Sequence, residues 1–98
     1  KTGNNSMNKL TVYTKDWCGF CVQVKDRLTE MGITFDEINI DLDNNGRTFI
    51  KEQGFKTVPQ IFYNGELFVE GGASGFAKLT LVEVKERLNG YDLGDLSL

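Results

Sequence analysis

Read by the spacing of its apolar positions, the chain divides into alternating strand-like and helix-like stretches. Leu10–Thr14 (Leu-Thr-Val-Tyr-Thr) is rich in β-branched and aromatic residues and predicts a strand. From Phe20 the period lengthens: Cys21, Val24, Leu28 and Met31 recur at three and four, one face of a helix, with Gly32 as its stop. Thr34–Ile40 alternates again, with Phe35, Ile38 and Ile40 apolar against Asp36 and Asn39 and one slip near Glu37. Strand, helix and strand at this spacing imply parallel pairing through a right-handed crossover.

Asp41–Gly46 is acidic and turn-like, and Asp43 or Asn44 can cap a short helix over Arg47–Gln53, which ends at Gly54. Asn64-Gly65 between apolar runs predicts a type I′ hairpin turn with arms Ile61–Tyr63 and Leu67–Val69. Pro59, the single proline, stands at the entrance to that hairpin, where a missing N–H is tolerated; taken alone it predicts a trans bond. Gly71–Gly75 reads as a small-residue loop. Thr80-Leu-Val-Glu83 is a capping box for a last helix with Leu81, Val84 and Leu88 inward and Asn89-Gly90 as its end. Tyr91–Leu98 has no clear period. The expected architecture is α/β, in the order β-α-β-α-β-β-α, with a four-stranded mixed sheet flanked by helices.

Length and composition narrow the class. Ninety-eight residues with 40% hydrophobic content suffice for one domain with a modest core. Polar Lys1–Ser6, ahead of Met7, reads as a tag remnant or disordered tail, leaving residues 7–98 as the domain. Eleven Lys and Arg against 14 Asp and Glu give a net charge of −3 without a basic cluster, which argues against nucleic acid as a partner. No apolar run reaches the length of a membrane span or a signal-peptide core. The expectation is a cytoplasmic monomer away from membranes.

The candidate chemistry lies in Trp17-Cys18-Gly19-Phe20-Cys21, which holds both cysteines of the chain. The pair falls where the first strand hands over to the first helix, with Cys18 near the cap. Helix-start amides lack intrahelical partners and the macrodipole places positive charge there. A thiolate is stabilised in such a position, so its pKa drops from about 8.5 into the range of roughly 3.5–7.5. Lys15 adds a cation three residues away. Cys21, one turn on, is within disulfide reach, which makes Cys18 the attacking and Cys21 the resolving thiol. Three quieter readings stand beside this one: a zinc site, a static disulfide and a pair of inert buried thiols. Zinc needs about four Cys or His ligands, and the chain has two Cys and no His. A four-residue loop gains little from closure, and a cap position is exposed.

Three features together resemble the glutaredoxins, small members of the thioredoxin-fold superfamily: Cys18-Gly-Phe-Cys21 after the first strand, Thr57-Val58-Pro59 after the second helix, and Gly71-Gly72 after the hairpin. The resemblance runs from about Lys9 to Leu88. It implies a glutathione-dependent thiol–disulfide oxidoreductase, serving electron transport and cell redox homeostasis, with Cys18 forming the mixed disulfide and Cys21 resolving it. It also implies a cis Pro59, overturning the trans expectation. Glutathione would be held by Lys15 and Arg47 at its glycine carboxylate, with Phe20 and Thr57 nearby. The backbone of Val58 would pair with its cysteinyl part, and the Gly72-Ala73-Ser74 amides would take its γ-glutamyl carboxylate. Glutathione enters as co-substrate, with no tightly bound cofactor; the implied partners are glutathionylated or disulfide-containing proteins, ribonucleotide reductase among them.

The departures from the family pattern define the alternatives. Many members carry Asp where this chain reads Ala73-Ser74-Gly75, the hairpin looks about two residues longer, and Glu70 stands where an apolar residue is commoner. Cys-Gly-Phe-Cys lies between the dithiol Cys-Pro-Tyr-Cys and the Cys-Gly-Phe-Ser of a monothiol branch, which binds a two-iron, two-sulfur cluster through its Cys and glutathione. Cys18 as an iron–sulfur ligand in a bridged dimer is therefore one alternative. The insertion that branch carries before its Cys is absent, which favours the dithiol class. Trp17 before the first Cys is similar to thioredoxin, so a reductant served by a flavoprotein reductase is the other. Read plainly, Trp17 packs on the surface beside the site.

Overall fold

A computed structural model of the chain describes residues 10–96, and side-chain positions from 10 to 88. Lys1–Ser6 and Met7 lie outside the described residues. Strand β1 (Leu10–Thr14) is the centre of the sheet, parallel to β2 (Phe35–Asn39) and antiparallel to β3 (Gln60–Tyr63). A two-residue β4 (Glu66–Leu67) completes the order β2-β1-β3-β4.

The period of two sorts the central strands onto two cores. Leu10, Val12 and Ile61 face one side, where α1 (Gly19–Glu30) supplies Val24 and Leu28. Tyr13 and Phe62 face the other, under Ile50 of α2 (Asn44–Glu52). That second core is built of rings: Phe62 meets Tyr13, Phe49 and Phe55 edge-on, with centroids 5.5, 5.1 and 6.0 Å apart. Such edge-to-face pairs add to what area burial contributes.

The hairpin and the helix stops follow the local chemistry. Asn64 and Gly65 both have positive φ, 53° and 86°, as a type I′ turn requires. Helix α2 starts three residues before the expected Arg47, because the Asp43 carboxylate caps it by accepting from the Gly46 amide at 2.9 Å. Strand β4 is shorter than the expected Leu67–Val69. Phe68 and Val69 are both buried in the first core, so the alternation that defines a strand ends at Leu67.

Gly71–Gly75 is not a loop. Two left-handed glycines, Gly71 and Gly72 with φ of 91° and 55°, open a short helix α3 (Gly72–Ala77) that the expected element order lacked. Its glycines predict against helix, and buried Phe76 holds it on the first core instead. A Cβ on Gly75 would collide with the Glu70 carbonyl oxygen, so small residues are what let this helix close against the preceding chain.

The last helix, α4 (Leu81–Leu96), begins with the expected capping box. Glu83 accepts from the Thr80 amide at 2.9 Å, and the Glu83 amide donates to Thr80 Oγ1 at 3.1 Å. Leu81 is exposed rather than inward. Leu79, just before the cap, pairs across it with Val84 in the first core, a hydrophobic staple that takes the place assigned to Leu81. Asn89-Gly90 does not end the helix either: its backbone runs on to Leu96, through a glycine that costs about 1 kcal/mol relative to alanine and is tolerated.

Candidate active site

The turn between β1 and α1 is tied to the segment after β2. Ile40 donates its amide to the Thr14 carbonyl at 2.8 Å, and the Asp16 amide donates to the Asp41 carboxylate at 2.9 Å. Asn39 links the same two residues, its side-chain amide donating to Asp16 at 2.9 Å while its carbonyl accepts from the Asp41 amide at 2.9 Å. This mesh delivers Cys18 to the helix cap with extended backbone (φ −113°, ψ 103°). Trp17 just before it has φ of 57° and stands fully exposed, so it does not pack on the surface as expected. Its left-handed backbone turns the ring outward.

Cys18 and Cys21 are joined as a disulfide, their Cα atoms 5.2 Å apart. The Cys21 amide, one of the orphan donors of the first turn, donates to Cys18 Sγ at 3.2 Å. The two sulfurs are unequal in access: Cys18 is half-buried, whereas Cys21 is only 2% exposed. Phe20 is exposed on the same turn.

Facing Cys18 is the Thr57-Val58-Pro59 loop. The Val58–Pro59 bond is cis, as the family resemblance implies and against the trans expectation. The Val58 carbonyl oxygen lies 3.8 Å from Cys18 Sγ. Gln60 braces this loop from behind: it is 4% exposed, and its amide nitrogen donates to the Thr57 carbonyl at 3.0 Å and reaches Thr57 Oγ1 at 3.5 Å. Gln60 was not among the expected site residues, although a polar residue opening an apolar strand is the signal that marks it.

A cleft of about 490 Å³ runs away from Val58. It brings together Lys15, Arg47, Thr57 and Val58, four of the expected ligand residues, with Lys51 and Lys56 beside them. Arg47 is partly committed already: its Nε donates to the Ile40 carbonyl at 3.0 Å, and its terminal nitrogen stands 3.9 Å from Asp41. Other expected residues lie outside this cleft. Phe20 lines no part of it, and Ala73 packs against the first core. Gly72 is buried against the proline, close enough that a Cβ there would stand 2.6 Å from the Pro59 carbonyl oxygen. Ser74 is exposed.

A second cleft, about 500 Å³, opens on the other side of the cysteines, and Lys25 and Glu37 line it. The buried Thr14 hydroxyl donates to Glu37 at 2.8 Å, and Lys25 Nζ reaches the same oxygen at 3.0 Å. Burial pushes the Glu37 carboxyl up, but the Thr14 and Lys25 hydrogen bonds and the Lys25 charge outweigh it and leave the group below its ordinary value. Sequence reasoning missed this cluster, whose members come from β1, α1 and β2. Among the described residues, no group of three or more His, Cys, Asp or Glu side chains converges to hold a metal ion, and no helix is long and apolar enough to cross a membrane.

The glutaredoxin family model matches residues 10–68. A glutaredoxin-like protein of Mycobacterium tuberculosis is 30% identical over 77 residues, spanning 76% of this chain and 92% of the relative. Glutaredoxin 3 of Escherichia coli K12 is 38% identical over 61 residues, 61% of this chain and 74% of that one. Among solved structures, wheat glutaredoxin superposes with a TM-score of 0.69 at 27% identity, covering 91% of this chain and 89% of that chain. A buckwheat glutaredoxin–glutathione complex shares the fold at 24% identity, with a TM-score of 0.67 and coverage of 91% and 86%. The chain therefore belongs to the glutaredoxin family, has its thioredoxin fold and, with Cys18 and Cys21 paired at a helix start, is a thiol–disulfide oxidoreductase.

Proposed function

We infer that the exchange is glutathione-dependent and of the dithiol kind, with Cys18 as nucleophile and Cys21 as resolving thiol. The observation that carries this reading is the surroundings of Cys18 Sγ, which accepts from the Cys21 amide and lies 3.8 Å from the Val58 carbonyl above a cleft holding Lys15 and Arg47. Once the pair is reduced, the helix start favours the Cys18 thiolate. That thiolate attacks the glutathione sulfur of a mixed disulfide. The old S–S bond breaks, the protein thiolate leaves and takes a proton from water, and glutathione remains bonded to Cys18. A second glutathione thiolate then attacks the glutathione sulfur, leaving as oxidised glutathione and freeing Cys18. With a protein disulfide as substrate, Cys21 attacks the Cys18 sulfur instead, releasing the reduced protein and restoring the pair.

The glutathione in the related buckwheat structure supports the choice of thiol. A peptide-like ligand along the Val58 backbone would gain main-chain hydrogen bonds as an added strand does, with its glycine carboxylate toward Lys15 and Arg47. The test is glutathione-coupled turnover of a glutathionylated peptide by wild type, Cys18→Ser and Cys21→Ser. Wild type and Cys21→Ser turn over and Cys18→Ser does not. Full activity in Cys18→Ser, or a wild type that reduces disulfides only through a flavoprotein reductase, overturns the reading.

A further inference from the structure

The cleft beside Val58 is more cationic than glutathione requires. Four of the 11 Lys and Arg of the chain line it (Lys15, Arg47, Lys51 and Lys56), and no carboxylate does, in a protein whose net charge is −3. Asp41 offsets part of the Arg47 charge at 3.9 Å. Glutathione would bring one carboxylate to this end, for which Lys15 and Arg47 suffice. Lys51 and Lys56 are left over. Between the cations lies an apolar floor, with Ile50 2% exposed and Phe55 half-buried. At about 490 Å³ the cleft falls among those that take drug-sized ligands, more than a cysteinyl-glycine fragment fills. The opposite end of the site is no better matched to a zwitterion, because Ala73-Ser74-Gly75 places no carboxylate after the glycine pair.

An apolar floor ringed by four cations, of which Arg47 alone stands near a carboxylate among the described residues, suits a ligand that carries hydrocarbon surface along its body and phosphate at its end. Val58, which lines the cleft, has its carbonyl oxygen 3.8 Å from the exchanging Cys18 sulfur, so a ligand that lies in the cleft and reacts there would itself be a thiol. We propose that this protein also removes phosphopantetheine-type thiols from protein cysteines, with Lys51 and Lys56 holding the phosphate. The proposal rests on Cys18 being the exchanging thiol, but not on glutathione being the reductant. In the step, the Cys18 thiolate attacks the carrier sulfur of a protein–carrier disulfide. A Cys18–carrier disulfide forms, and the protein leaves as a thiolate that takes a proton from water. The Cys21 thiolate then attacks Cys18 and expels the carrier thiol. The two electrons come from the Cys18–Cys21 dithiol, which ends as the disulfide.

The test is a single turnover by pre-reduced protein in excess, with no other thiol present. A fluorescent peptide carries one cysteine as its mixed disulfide with coenzyme A, 4′-phosphopantetheine, pantetheine or glutathione. Coenzyme A and phosphopantetheine peptides should be cleaved about tenfold faster than the pantetheine peptide, the worth of one charge-assisted phosphate contact. That ratio should fall to about threefold or less in Lys51→Gln/Lys56→Gln, and in wild type at high salt. An advantage for coenzyme A alone also supports the proposal and assigns the contact to its nucleotide phosphates. Equal rates for coenzyme A and pantetheine peptides, or a ratio unchanged in the double variant, overturn it. If the glutathione peptide is cleaved while coenzyme A has no advantage, the proposal fails and the glutathione reading stands. If no peptide is cleaved, both fall.

Discussion

The buried side chain of Gln60 donates to the Thr57 carbonyl at 3.0 Å, reaching back around Val58 and Pro59 to hold the strand-like segment that faces Cys18. Gln60→Leu removes the donor of this part-buried hydrogen bond, which costs about 0.5–1.5 kcal/mol. The expected outcome is a drop in Tm of roughly 4–8 °C per kcal/mol, with a rise in KM for glutathionylated peptide that exceeds any fall in kcat. Thermal melts and steady-state kinetics on the same samples check both. A Tm loss with unchanged KM would mean that Gln60 stabilises the fold without positioning the ligand loop.

Two glycines of the site should respond oppositely to alanine. At Gly72 a Cβ meets the Pro59 carbonyl oxygen at 2.6 Å from a backbone already at φ 55°, so the loop must shift. Gly72→Ala is expected to cost about 1–3 kcal/mol and to weaken glutathione turnover. At Gly19 a Cβ meets nothing within 4 Å, on the first turn of α1. Gly19→Ala should stabilise by about 0.4–1 kcal/mol through the unfolded chain. Chemical denaturation of the two variants beside wild type decides the pair.

Access separates the two cysteines. In the reduced protein at neutral pH, iodoacetamide should modify Cys18 and leave Cys21, 2% exposed, largely untouched. The pH profile of alkylation should place the Cys18 midpoint below about 8.5, in the range of helix-start thiols. Peptide mapping by mass spectrometry reads both at once. Equal labelling of the two would contradict the assigned roles.

The folded Glu37 carboxyl sits below its ordinary value near 4.5, so it adds stability above that value. The contribution is lost as pH falls through the lower folded pKa. Removing the cation with Lys25→Met moves the folded pKa back toward the ordinary one. The stability gap between wild type and Lys25→Met is therefore expected to be widest near neutral pH and to narrow as pH drops below about 4.5. Urea midpoints taken from pH 7 down to pH 3 measure it. A gap that stays constant would remove Glu37 as the cause.

What was legible in the sequence is what local physics decides. Leu10–Thr14, the Asn64-Gly65 turn and the Thr80–Glu83 box are each specified by residues within four positions, and each stands where expected. The cysteine pair falls at a helix cap for the same reason. Helix α3 was not legible, since glycine argues against helix and it is the burial of its own Phe76 in the first core, with Ala73 packed beside it, that holds it. Leu81 misled because the staple partner lies one residue before the Thr80 cap, at Leu79. Thr14 and Glu37 are 23 residues apart and adjoin only after β1 and β2 pair. Gln60 matters through Thr57, a contact that follows from the loop's path rather than from any period.

The ordering of the sheet leaves its two borders blunt. One border, β2, carries the consecutive acids Asp36 and Glu37, and the other, β4, is two residues long. A charged border and a stub both discourage another chain from extending the ladder, which is how natural sheets avoid fusing edge to edge. This molecule can thus display Trp17 and Phe20, two exposed rings beside a reactive sulfur, while the borders of the sheet among the described residues discourage crowded neighbours from pairing with it.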